Sequence, residues 1–249
     1  MKIPAHRAAI GALVITASAL APAAAQLAYT SGHADFGMLE GTELEPHFHA
    51  EGAIIGGTSG IEDEYEPDEI VTIVPLSVRS ANPKATADFF DIPEALGLSQ
   101  GDQYWNLFED STSASLSNSP FLGIGTEEGD LGVWDGDQVT ISLTGLTGPG
   151  EFVLWQGGSG IKWASFGGID AGDSLVNFPV GSHDHYNWAF SQAGNYEMTI
   201  TVSALEGGNP VSASGPYSFA VVPEPGTYLV GFALLGGLIV HRLRRNRVA

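Results

Sequence analysis

Residues 138–146 read QVTISLTGL, and residues 196–204 read YEMTITVSA. In both, β-branched and apolar side chains alternate with polar ones, the period-two pattern of a strand with one face buried and one face wetted. The same signature recurs at 151–156 (EFVLWQ), 217–222 (YSFAVV) and 70–78 (IVTIVPLSV). Pro75 in the last of these points to an edge strand or a bulge, because proline cannot donate to a ladder. The connections TGPG, QGGSG, FGGIDAGD, SQAGN and EGGNP are dense in turn formers. Only 82–98 (NPKATADFFDIPEALGL) reads as helical, and then as a short helix broken at Pro93. No internal repeat is visible. The expected fold is all-β, an antiparallel β-sandwich of immunoglobulin-like or jelly-roll type.

The ends differ from this middle. Residues 1–25 place Lys2 and Arg7 ahead of the apolar run AAIGALVITASAL and close on small residues, the layout of a signal peptide cleaved after Ala25. At the other end, an uncharged apolar run from Gly226 to Val240 is followed at once by Arg242, Arg244, Arg245 and Arg247. The run is short for a bilayer span, which takes about 20 residues. The arginines would hold the extreme C-terminus on the cytoplasmic side. Pro223, Glu224 and Pro225 open this segment. The order VPEPG, apolar helix, arginine cluster resembles a PEP-CTERM sorting signal. That resemblance implies recognition by an exosortase, a C-terminal transmembrane anchor helix before processing, and a final place in the cell envelope, at the surface or in the exopolysaccharide matrix of a Gram-negative-type bacterium. The chain thus divides into a signal peptide (1–25), an ectodomain (26–222) and a sorting tail (223–249).

Of the 29 acidic residues only Glu224 lies outside the ectodomain, whose bases are Arg79, Lys84 and Lys162 alone. So negative a surface excludes nucleic acid as a partner, which needs a cationic footprint. It favours cations and keeps an exported protein soluble. There is no cysteine, hence no disulfide framework and no thiolate chemistry. Nearly 200 residues are enough for one core without such staples.

Of seven histidines, His6 and His241 fall in the two ends. The other five form three tight groups: His33 in SGHADFG, His47 and His49 in EPHFHAEG, and His183 and His185 in GSHDHYNW. Residues i and i+2 of a strand project from one face, so each His-x-His pair can aim two imidazoles at one point. Neutral imidazole suits divalent transition metals. Asp35, Glu51 and Asp184 stand close enough in sequence to be further ligands or to orient the rings. Without Cys or a Met cluster Cu(I) is disfavoured; Zn(II) leads, with Mn(II), Ni(II) and Cu(II) open. The expectation is that imidazoles far apart along the chain share one metal centre.

The stretches SGHADFGMLEGTELEPHFHAE, PFLGIGTEE, VTISLTGLTGPGEFVLWQ and GSHDHYNWAFSQAGNYEMTITVSA together resemble the choice-of-anchor M domain, the last of them a repeat of actinobacterial surface-anchored proteins. The resemblance runs discontinuously over about residues 29–205. It implies surface capture of a ligand, with a metal-uptake component among the partners, and it carries over His33, His47, His49, His183 and His185, with Asn187 and Trp188 in the closing motif. This chain has one copy and a PEP-CTERM tail in place of a cell-wall anchor.

Several features have plainer readings. The acidic run EDEYEPDE (62–69) lacks the spaced ligands of a calcium loop and reads as a solvated loop. Trp105, Trp134, Trp155, Trp163 and Trp188 are dispersed among strands, which favours core packing over carbohydrate stacking. Tyr196 reads as a corner aromatic. Gly41 followed by His47-x-His49 matches the start of a cupin motif, but Glu51 stands too close to His49 and over 120 residues separate the halves. No Ser-His-Asp arrangement stands out. A metal-holding binding protein is therefore expected rather than an enzyme. The alternatives are a matrix protein with a structural metal and a cupin-like metalloenzyme.

Overall fold

A computed structural model describes residues 25–81 and 92–223. Residues 1–24, where the signal peptide is expected, residues 82–91, and residues 224–249, where the sorting tail is expected, lie outside the described residues. Among those described, no helix is long and apolar enough to cross a membrane.

The protein is mostly β-sheet. β1 (Leu27–Glu40), β2 (Glu43–Ile55) and β3 (Thr58–Tyr65) follow one another as antiparallel neighbours. β4 (Ile70–Val74), β5 (Arg79–Ala81), β6 (Gln103–Leu107) and β7 (Pro120–Gly125) come next. Helix α1 (Ile92–Ala95) precedes β6, and α2 (Ser111–Ser117) precedes β7. The second half supplies β8 (Gln138–Thr147), β9 (Phe152–Gln156), β10 (Gly160–Ala164), β11 (Ser174–Pro179), β12 (His183–His185), β13 (Asn187–Phe190), β14 (Gly194–Glu206) and β15 (Asn209–Val221). The larger sheet runs β11-β8-β14-β15-β4-β1-β2-β3, with β7 attached to β1 and β12 to β7; the smaller runs β10-β9-β13-β6-β5.

Most pairings are antiparallel as expected, but β1 is parallel to both β4 and β7, and β4 is parallel to β15. β4 is therefore an interior strand, contrary to the edge expected from Pro75. The proline lies just past its end, where it opens a 3-10 turn (Leu76–Val78), so no ladder donor is lost. Pro93 is the second residue of α1 as described; residues 82–91, where the expected helix begins, lie outside the described residues. The acidic run is a loop only over residues 66–69, between β3 and β4. Glu62 to Tyr65 belong to β3, the outermost strand, whose charges guard an exposed edge against pairing with other chains.

The inner faces of the two sheets share one core. Phe36 of β1 stacks on Tyr217 with 3.9 Å between ring centroids and meets Trp188 edge-on at 5.2 Å. Phe219 and Phe190 complete the cluster, 5.1 Å apart. The Trp188 indole N–H donates to the Leu122 carbonyl at 3.1 Å, tying β13 of the small sheet to β7 of the large one. Trp105, Trp134, Trp163 and Trp188 are all buried, and Trp155 partly so, as core packing requires. Burial of each such side chain contributes about 1.5–3 kcal/mol.

β1 is the strand on which the site depends. Residues 27–29 pair with β4, and from residue 32 the neighbour becomes β7. The exchange coincides with register shifts around Ser31, where Gly32 adopts φ +87. A Cβ there would run into the backbone of Gly52 and Ala53, so glycine permits both the bulge and the close approach of β2. Tyr29 donates its hydroxyl to the Gly32 carbonyl at 2.7 Å and pins the kink. His33 is the first residue beyond it.

Candidate metal centre

Across β12, β7, β1 and β2 the cross-strand partners form two rows: His185–Gly123–Asp35–His49, and His183–Gly125–Gly37–His47. A third row sets Phe121 beside His33 and His33 beside Glu51. Partners in register share a face. Ala34, Phe36, Phe48, Leu122 and Ile124 occupy the alternate positions and are buried in the core. Strand alternation therefore sends all five histidines to the outer face of the larger sheet.

His33, His183 and His185 converge there. One ring nitrogen of each lies within 4.8 Å of those of the other two. His33 Nε2 stands 3.1 Å from His185 Nε2 and 3.1 Å from Asp35 Oδ2. Two ligands of a tetrahedral ion at ~2.0–2.1 Å would be ~3.3 Å apart, so the first separation is close to that of a coordination edge. His33 Nδ1 lies 2.9 Å from Glu51 Oε2, and His183 Nδ1 donates to Glu127 Oε1 at 2.6 Å. Carboxylates on the outer nitrogens orient rings whose remaining nitrogens take a metal.

The electrostatics follow from this packing. His185 stacks on Phe121 with 3.6 Å between centroids, and burial pushes its pKa down to about 4; Asp35 opposes the shift, while His33 and His183 reinforce it. Burial also works against a charge on His33, but Asp35 and then Glu51 outweigh it and raise that pKa above the ordinary value. Asp35 Oδ1 is buried without a hydrogen-bond partner. It lies over Gly123, in the space a Cβ would fill.

His47 and His49 do not join this centre, contrary to expectation. They sit on β2, on the far side of β1 from β7 and β12, and His47 is three strands from His183, roughly 14 Å at the ~4.8 Å spacing of strands. They meet Glu128 instead. His47 Nδ1 donates to the Glu45 carbonyl at 2.8 Å, and its Nε2 lies 2.6 Å from Glu128 Oε2. His49 Nδ1 is 3.2 Å from Glu128 Oε1. The His47 ring covers Gly37, where any Cβ would overlap it. Glu64 hydrogen-bonds Glu128, which is the first cause of its raised pKa, followed by burial and the repulsion between the two carboxylates.

Two other expected participants are elsewhere. Asp184 pairs opposite Ile124, so alternation turns it to the other face, where it is exposed at the strand edge. Asn187 is buried in the small sheet, its side-chain oxygen accepting from Asn106 Nδ2 at 3.2 Å and the Glu109 N–H at 3.3 Å. Asp35 and Glu51 stand beside His33 as expected. Of the expected sorting signal only Pro223 is among the described residues; Glu224, Pro225, Arg242, Arg244 and Arg245 lie outside them.

Glu127, Glu128, Phe121, Gly37 and Gly123 are the contributors that the histidine pattern did not reveal. Their signal is the alternation of Gly123 and Gly125 in LGIG, since glycine inside a strand marks close approach by a neighbour. Set beside known proteins, the chain matches no family model, no curated protein and no solved structure.

Proposed function

We propose that this is an exported protein, anchored to the envelope or its matrix, that holds a divalent transition metal on the outer face of its larger sheet. His33, His183 and His185 are the ligands, with Asp35 beside them, and Zn(II) is the favoured ion, with Mn(II), Ni(II) or Cu(II) as alternatives. The observation that carries this reading is the environment of His33. Both its ring nitrogens face a carboxylate oxygen, at 2.9 and 3.1 Å, while a neutral imidazole can donate from only one. Positive charge has to lie at the other, as a second proton or as a metal ion. The imidazole of His185 at the same nitrogen favours the metal.

Binding rather than catalysis fits an arrangement in which the two His-x-His pairs belong to different triads, so that no cupin-like pairing is formed. A removable ion fits the core, whose aromatic cluster is complete without the site. The matrix-protein alternative instead makes the metal a structural tie. Export, exosortase processing and a matrix or metal-uptake partner rest on the terminal motifs and the choice-of-anchor M resemblance. We further read the two apposed sheets as a β-sandwich. An immunoglobulin-like form is favoured by Tyr196, buried at a sheet end with its hydroxyl donating to the Gln192 carbonyl at 2.9 Å.

Elemental analysis of the purified protein tests the reading. We expect stoichiometric metal in the wild type and its loss from this centre in His183→Ala/His185→Ala; unchanged metal content in that variant refutes the assignment. A chelator should remove the ion while the circular dichroism spectrum survives. Unfolding on chelation would instead favour the structural tie.

A further inference from the structure

We infer that His47, His49 and Glu128 form a second, separate cation site, so that the protein carries two divalent ions side by side on one sheet face. The three donors lie within 4.8 Å of one another and come from β2 and from the loop after β7. That loop is docked in place: Gly41 donates its N–H to the Glu128 carbonyl at 2.9 Å, and Asp130 donates back to the Gly41 carbonyl at 2.7 Å. The Glu128 side chain is thereby held over β2.

His47 supplies the decisive detail. It is buried, and its Nδ1 hydrogen is committed to the Glu45 carbonyl. In the neutral ring Nε2 would then present a lone pair to a carboxylate oxygen only 2.6 Å away, a repulsive contact. Positive charge must lie between them, either a proton or a metal ion. An octahedral ion with ligands at ~2.05 Å holds adjacent donors ~2.9 Å apart, so Glu128 need withdraw by only a few tenths of an ångström to admit one. The half-buried Glu128 has the freedom to do so. Its other oxygen already faces His49, and Glu64 adds a second carboxylate alongside.

Two imidazoles and a carboxylate make a harder donor set than the three imidazoles of the first centre. Relative to that centre the second should favour Mn(II) over Zn(II), with water completing its coordination. The assignment does not depend on the first centre, and the test separates the two.

The full chain is titrated with Zn(II) and with Mn(II), ion stoichiometry being read by equilibrium dialysis and Mn(II) by the loss of its free-ion magnetic resonance signal. The wild type should bind two ions, Glu128→Gln one and His33→Ala one, with Mn(II) uptake depending on Glu128. His49→Asn, a partly exposed position, serves as a second variant, and unchanged circular dichroism guards against misfolding. Wild-type stoichiometry in both Glu128→Gln and His49→Asn overturns the inference and identifies His47 as an imidazolium ion-paired to Glu128. A single wild-type ion that Glu128→Gln removes and His33→Ala retains supports this site and refutes the first.

Discussion

The two triads share a sheet face yet are assembled differently. His33, His183 and His185 arrive from opposite ends of the chain, about 150 residues apart, and meet only once β7 has inserted between β1 and β12. His47 and His49 are neighbours on one strand and need only a loop glutamate to complete their group. The first is mainly imidazole against an aromatic ring and a buried carboxylate, with His183 exposed; the second is split between imidazole and carboxylate, with His47 buried. Distant convergence yields a site that reports on the whole fold, whereas local pairing yields one that reports on a hairpin and its adjoining loop.

The sharpest way to break the comparison is through the glycines that leave room for each group. In Gly123→Ala the new methyl takes the place of the Asp35 carboxylate, and in Gly37→Ala it takes that of the His47 ring. Each should weaken ion binding at its own centre about 100-fold and leave the other within a factor of two, with about 1–3 kcal/mol of overpacking cost in denaturant melts. If either substitution weakens both centres equally, they are not separate.

Orienting groups come next. Glu127→Ala removes the acceptor on His183 Nδ1 without touching the second triad. Zn(II) affinity at the first centre should drop about tenfold by calorimetric titration, with Mn(II) uptake at the second unaltered. An unchanged Zn(II) affinity would mean that Glu127 does not orient the ring.

The smallest effect is on pH dependence in the metal-free protein. His185 folds neutral, its pKa held down to about 4 chiefly by burial, whereas the unfolded chain takes up the proton near 6.5. The unfolded state binds more protons in that window, so the contribution is intact above 6.5 and is lost as pH falls toward 4. His33 has the opposite sign: its raised pKa gives a contribution fully present below 6.5 and lost as pH rises through the folded value. Melting temperatures at pH 7 and pH 5 should show a shallower acid-side loss in His185→Gln than in the wild type. Parallel losses would place His185 in a solvated setting.

Much of the fold was legible because alternation is a local property: QVTISLTGL and YEMTITVSA lie within β8 and β14, and all but the last residue of YSFAVV within β15. Parallel pairing was not legible, since residues 70–74 carry no mark of which strands will flank them. Pro75 misled because a proline one residue beyond a strand looks in sequence like one that interrupts it. The site was legible as to residue type, because His-x-His on a strand must present both rings to one side. The partition into two triads was not, because it depends on β7 lying between β1 and β12 while β2 lies across β1. Asp184 shows the limit of proximity along the chain: it is flanked by two site histidines and points away from both.

Glu127 and Glu128 are adjacent, yet one turns to His183 and the other to His47. One peptide unit thus links the two coordination spheres. An ion that makes Glu128 withdraw from His47 shifts the same backbone that aims Glu127, so filling one position should alter the affinity of the other by no more than about twofold, and by the same factor in both directions.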